Sequence, residues 1–181
     1  MNFIIYDLEA TCWEINDPSL IQETIEIGAY RLNPYGEILG EYNRFIKPKM
    51  NPLLSVYCRE LTSITQHDID WAMNFEEVIE EFQDWIGIEE EDFYLCSWGS
   101  FDRKQLIADC ELYDLDGEWI ETNHINLKRQ YQDMKRLHRS CGLLNALKRE
   151  GFEFTGVQHR GISDAHNLIK IFKQFLGEWQ T

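Results

Sequence analysis

The chain has 181 residues, 44% of them hydrophobic, with six Trp and only four Pro; this composition builds a compact core and excludes an intrinsically disordered protein. Its net charge of −15 excludes a protein that coats nucleic acid by broad electrostatic attraction, though not an enzyme that grips a short stretch of strand. No apolar run approaches the roughly 20 residues that span a bilayer, and a strand at the very N-terminus leaves no room for a signal peptide, so a cytoplasmic, one-domain protein with no membrane contact is expected. The five cysteines (Cys12, Cys58, Cys96, Cys110, Cys141) form no C-x-x-C pair and read as reduced, mostly packed thiols. His138 and Cys141 have a spacing that suits zinc, but no second pair accompanies them.

In chain order, residues 2–8 read as a buried strand in which Phe3-Ile4-Ile5-Tyr6 runs straight into Asp7-Leu8-Glu9. Strand side chains alternate faces, so Asp7 and Glu9 point the same way. Thr24 to Leu32 and Ile38 to Ile46 read as two more strands, joined in a hairpin or meander by the turn signal Asn33-Pro34-Tyr35-Gly36. Pro52 to Leu61 is predicted helical, and Thr62-Ser63-Ile64-Thr65 supplies a fresh helix cap. Phe75, Val78, Ile79, Phe82, Trp85 and Ile86 follow the i, i+3, i+4, i+7 template, and Gly87 ends that helix. The acidic run from Glu76 to Asp92 reads as a solvated helix face.

Phe93 to Cys96 is a second short buried strand, ending at Ser97-Trp98-Gly99. A helix then carries Leu106, Ile107, Cys110 and Tyr113, and its stripe, extended back one turn, lands on Asp102. Residues 123–134 and 140–150 are predicted helices around a basic segment: Lys128, Arg129, Lys135, Arg136, Arg139, Lys148 and Arg149. The last helix carries Ala165, Leu168, Ile169, Phe172, Phe175 and Leu176, with Asp164 one turn before Leu168. The pattern is α/β, a mixed sheet with helices packed on it.

Four carboxylates thus stand where apolar residues belong. Gathered near a core, such groups repel one another and are costly to desolvate unless something cationic holds them. Strand ends and helix starts meet at one edge of an α/β sheet, where ligands bind. Carboxylates without thiols or imidazoles favour Mg²⁺ or Mn²⁺ over zinc. His159 precedes Asp164 by just over a helical turn, beside Gly161, which is expected to let the loop move. An imidazole with a pKa near 6.5 can take a proton from an attacking water at neutral pH.

Asp7-Leu8-Glu9-Ala10-Thr11-Cys12, Ser97-Trp98-Gly99-Ser100-Phe101-Asp102 and His159-Arg160-Gly161-Ile162-Ser163-Asp164-Ala165 resemble, in order, the three motifs of the DEDDh 3′→5′ exonucleases. The nearest resemblance is to the ERI-1-like branch, which includes histone-mRNA and small-RNA trimming exonucleases and the bacterial KapD proteins. Glu26-Ile27-Gly28-Ala29, Leu61 to Gln66, Ile125 to Lys128 and Cys141-Gly142-Leu143 resemble the branch's connecting segments.

The resemblance implies one exonuclease domain over residues 1–181, of RNase H-like fold, with a five-stranded mixed β-sheet flanked by α-helices. It implies that Asp7, Glu9, Asp102 and Asp164 hold two Mg²⁺ or Mn²⁺ ions roughly 3.5–4 Å apart, with His159 as general base, and that nucleoside 5′-monophosphates leave the 3′ end of single-stranded RNA or DNA. Phe101 matches a position that stacks on the terminal base in the family, and Tyr57 resembles its opposing partner. Trp13 and Trp98 have similar claims, and Ala10 joins them as a substrate-binding residue. Ser100 departs from the branch, which often carries an acid there. Two other readings stay open: a KapD-like regulatory or binding protein on the same fold, and a phosphodiesterase for short oligonucleotides.

Overall fold

The computed structural model describes residues 1–15 and 17–181. Strand β1 (Asn2–Ala10) is the centre of the molecule. It pairs antiparallel with β2 (Thr24–Leu32), which pairs antiparallel with β3 (Ile38–Phe45). Helices α1 (Val56–Thr62), α2 (Gln66–Asp70) and α3 (Phe75–Ile86) follow, then β4 (Phe93–Ser97), parallel to β1. Helices α4 (Phe101–Leu112) and α5 (Glu118–Thr122) lead to β5 (His124–Asn126), parallel to β4, and α6 (Leu127–Met134), α7 (Leu143–Arg149) and α8 (Gly161–Gln174) complete the chain. The result is the expected five-stranded mixed sheet, in the order β3-β2-β1-β4-β5.

The period of two along β1 divides the core. Ile4, Tyr6 and Leu8 face one side, with Ile27, Val78 and Phe82 of α3, Leu106 of α4 and Trp119 of α5. Phe3 and Ile5 face the other, with Leu32, Tyr131 of α6, and Leu168 and Phe172 of α8. Asp7 and Glu9 continue the second stripe. Across on β2, Gly28 is the register partner of Asp7, and Glu26 that of Glu9.

The structure corrects several local expectations. The helix expected from Pro52 begins only at Val56, because the Ser55 hydroxyl accepts from the Cys58 N–H at 2.9 Å and caps it there. Thr65 and Asp68 form a full capping box at the start of α2. Residues 124–126, expected as helix, are strand β5: Ile125 is buried beside Cys96, and the Asn126 side chain then caps α6. The helix expected from residue 140 starts at Leu143. Beyond β3, Ile46 makes only an isolated bridge to Met73. Helix α5, five residues long, was not expected. The cysteines are free thiols, and among the described residues no helix is long and apolar enough to cross a membrane.

Candidate active site

Strand β4 stops pairing with β1 at the Ile5–Cys96 register, so the acidic end of β1 runs on with only β2 beside it. The Leu8 N–H on the open side has no strand partner; it donates to Asp102 Oδ1 at 3.2 Å. That bond pulls the first turn of α4 against β1 and brings Asp102, buried, to the crevice.

Asp164 arrives from the other side. The start of α8 lies directly on the sheet backbone, and two glycines permit this: a Cβ on Gly28 would stand 2.0 Å from the Ile162 nitrogen, and one on Gly161 2.8 Å from the Asp7 carbonyl oxygen. Gly161 therefore serves close packing, not the loop motion expected of it. Asp164 Oδ2 accepts from the Arg160 N–H at 3.3 Å, and its carboxylate turns toward β1.

Oxygens of Asp7, Glu9 and Asp164 lie within 4.8 Å of one another. Among the described residues no protein donor reaches the Asp7 or Glu9 carboxylate, whereas Asp102 and Asp164 each accept one backbone bond. Burial, reinforced by Asp102, Asp164, Glu9 and Glu26, holds the Asp7 carboxyl well above the usual range. Burial, then Asp164, Glu26 and Asp102, pushes Glu9 up to about 8. Asp102 is pushed up to about 6, mainly by burial, against the relief of the Leu8 N–H. Asp164 is raised by burial and relieved by the Arg160 N–H and His159. Hard oxygen donors, crowded and short of protein donors, fit divalent Mg²⁺ or Mn²⁺.

His159 stands exposed at the mouth of the same crevice, with φ +58. A non-glycine residue in the left-handed region costs on the order of 1 kcal/mol or more and is held only where its surroundings enforce it. The next residue supplies the enforcement. Arg160 grips Glu26 through Nε–Oε2 at 3.1 Å and Nη2–Oε1 at 3.0 Å, and the Gly161 N–H donates to the same carboxylate at 3.0 Å. Glu26 is fully buried, and the Arg160 guanidinium lies 5.1 Å from the centre of the Phe45 ring. A bidentate pair of this kind fixes orientation as well as charge. The fork thus ties the His159 loop to the strand that carries the register partner of Glu9.

These side chains open on a cavity of about 500 Å³ whose wall includes Asp7, Glu9, Asp102, Asp164, His159, Phe101 and Trp98. Phe101 is 48% exposed, so its ring is free to meet a ligand. Three expected substrate residues lie off that wall. Tyr57 is exposed on α1, Trp13 is half-buried, and Ala10 is buried at the end of β1. They belong to a flank that continues from β1, where the Ser55 hydroxyl donates to the Cys12 carbonyl at 2.6 Å and the Cys58 thiol approaches the Ala10 carbonyl at 3.8 Å.

Sequence reasoning missed Glu26 and Arg160 as a pair, and the apolar wall from Leu143, Leu144 and Phe154. Glu26 did carry a signal: an acid inside the apolar strand Thr24-Ile25-Glu26-Ile27, the same anomaly as Asp7.

The mixed sheet is that of an RNase H-like fold, with the rim of carboxylates and the adjacent histidine as its candidate active site, and the RNase T exonuclease family model matches residues 4–172. The chain belongs to that exonuclease family, in its ERI-1-like DEDDh branch. It is 31% identical over 179 residues to 3′-5′ exoribonuclease 1 of Homo sapiens, covering 95% of this chain and 51% of that protein. It is 29% identical over 203 residues to the 3′-5′ exonuclease eri1 of Schizosaccharomyces pombe, covering 97% and 68%. The chain spans about half the length of the mammalian relatives it matches. Among solved structures, the nuclease domain of 3′hExo, a DEDDh family member bound to rAMP, superposes with a TM-score of 0.92 at 31% identity, covering 99% of this chain and 94% of that one.

Proposed function

We propose that the chain is a metal-dependent 3′→5′ exonuclease that shortens single-stranded RNA from its 3′ end and releases nucleoside 5′-monophosphates. The observation that carries this reading is the meeting of Asp7, Glu9 and Asp164 oxygens within 4.8 Å, on the wall of a cavity that Asp102 and His159 also line. The names of two relatives, 3′-5′ exoribonuclease 1 and ERI1 exoribonuclease 2, support RNA as the substrate.

Asp7, Glu9, Asp102 and Asp164 would hold two Mg²⁺ or Mn²⁺ ions. When bound, such ions acidify water and neutralise charge on a phosphodiester and its leaving oxygen. The chain's own residues do the rest. An imidazole nitrogen of His159 takes a proton as a water oxygen bonds to phosphorus and the bond to the 3′ oxygen breaks. The Glu26–Arg160 fork holds that imidazole at the cavity mouth. Phe101, on the cavity wall, stacks on the terminal base; stacking contributes about 1–3 kcal/mol per base and tolerates any base. Tyr57 and Ala10, off that wall, would reach the base only from the flank built on Ser55 and Cys12. Trp98 contributes to the same wall as Phe101.

The test is incubation of a 5′-labelled single-stranded RNA with and without Mg²⁺ or Mn²⁺. Stepwise shortening from the 3′ end, lost in Asp164→Asn and in His159→Ala but kept in Cys141→Ser, is the expected result. A folded protein that leaves RNA and DNA intact with either ion contradicts the reading.

A further inference from the structure

Beside the catalytic cavity lies a second one, of about 240 Å³, whose wall includes Gly99, Ser100, Lys128, Arg129 and Ser140. The two cavities have no lining residue in common, but the same two chain segments pass from one to the other. Trp98, Phe101 and Asp102 face the first while Gly99 and Ser100 face the second; Gly142 faces the first and Ser140 the second. The Trp98 Nε1–H bond to the Cys141 carbonyl, at 3.1 Å, ties these two segments into one partition.

The second cavity has a lining of a different kind from the first. In a chain of net charge −15 it is lined by two cations and neutral polar groups, with no carboxylate and no aromatic ring. Arg129 is engaged with Asp133 at 3.2 Å. Lys128 is half-buried and, among the described residues, has no ion-pair partner. Gly99, with φ +126, brings bare backbone to the partition, and a Cβ there would stand 3.7 Å from Lys128 Cδ. A pocket with cations but no rings offers charge for a phosphate and no surface on which a base can stack.

We propose that this cavity is the exit subsite for the substrate strand, and that Lys128 pairs with a phosphodiester upstream of the scissile one. The proposal rests on the exonuclease reading above. A strand whose 3′ nucleotide fills the catalytic cavity passes over the Gly99–Ser100 partition, and its next phosphates meet Lys128. Affinity then rises with strand length, in a protein whose overall charge opposes nucleic acid.

The test compares a dinucleotide, which has only the scissile phosphate, with a heptanucleotide, in wild type, Lys128→Ala, Lys128→Arg and Lys173→Ala. Lys173 lies at the far end of α8, against the Gly36 turn. Loss of one charge-assisted contact predicts a drop of about tenfold in kcat/KM for the heptanucleotide in Lys128→Ala. The dinucleotide rate stays unchanged, Lys128→Arg recovers the loss, and Lys173→Ala matches wild type. The salt slope of heptanucleotide binding, read with Ca²⁺ in place of Mg²⁺, falls by about 0.7. Equal losses on both substrates, or a heptanucleotide rate in Lys128→Ala equal to that of Lys173→Ala, overturn the subsite while leaving the exonuclease intact. A wild type that hydrolyses neither substrate overturns the parent reading and the subsite with it.

Discussion

Two groups of buried or half-buried carboxylates occupy the same rim of the sheet, and they are treated in opposite ways. At the start of β2, Glu23 accepts backbone N–H groups from Lys49, Met50 and Asn51 at 2.6–3.0 Å, and Asp109 accepts from the Thr24 N–H, the Thr24 hydroxyl and Gln105. At the end of β1, Asp7 and Glu9 accept nothing from protein among the described residues. Asp109 is 1% exposed and Glu9 9%, yet Asp109 is pushed up only to about 6 and Glu9 to about 8. Burial raises both. Hydrogen-bond donors relieve the first, while neighbouring carboxylates burden the second. Glu23 and Asp109 have their charge met by protein donors, whereas Asp7 and Glu9, crowded by other acids, have theirs unmet.

The comparison breaks most visibly by mutation on the unsatisfied side. Asp7→Asn should lower kcat/KM more than about a hundredfold, since even groups that only support metal ligands cost 10–100-fold. Its melting temperature without metal should equal or exceed wild type, because a repelling charge is gone. Circular dichroism and a melting curve check the second half.

Glu26→Ala should act in the opposite direction on stability. Removing one partner of a buried ion pair costs about 3 kcal/mol, which lowers the melting temperature by roughly 6–12 °C in a domain of this size. Activity should fall as well, since Arg160 and the Gly161 N–H lose the anchor of the His159 loop. Asp109→Ala should cost less, about 2 kcal/mol for the unsatisfied Thr24 N–H, with kcat per folded molecule within about twofold of wild type.

The comparison can also be sharpened with pH. Glu9 and Asp102 hold protons in the folded, metal-free protein to about 8 and about 6, above their ordinary values of 4.5 and 3.8. A raised folded pKa contributes stability that is present below the ordinary value and lost as pH rises through the folded one. Without metal, the melting temperature should therefore fall between pH 5 and pH 8.5. Saturating Mg²⁺ should reverse the fall, and most strongly at pH 8.5.

Much of this was legible in the residues. Asp7 and Glu9 violate the period of a buried strand, and Asp102 and Asp164 violate helical stripes, so each acid stands out against its own element. What escaped is short or distant. β5 is three residues, His124-Ile125-Asn126, too few for a period of two to speak, and α5 is shorter than two helical turns. Glu26 displayed the same anomaly as Asp7, but its partner lies 134 residues away. Gly161 looked like a hinge because local sequence does not reveal that β1 backbone lies 2.8 Å from where its Cβ would be. The Lys128 cavity needs the partition between two segments, which only tertiary structure supplies.

The central claim, that the undonated acids at the end of β1 form a divalent-cation site, is tested most directly by Mn²⁺ titration calorimetry at pH 7.5 on wild type and Asp7→Asn. Saturable uptake by the wild type, abolished in Asp7→Asn and retained in Asp109→Asn, is the predicted result. A folded wild type that takes up no Mn²⁺, or an Asp7→Asn protein that binds it as well, would contradict the account.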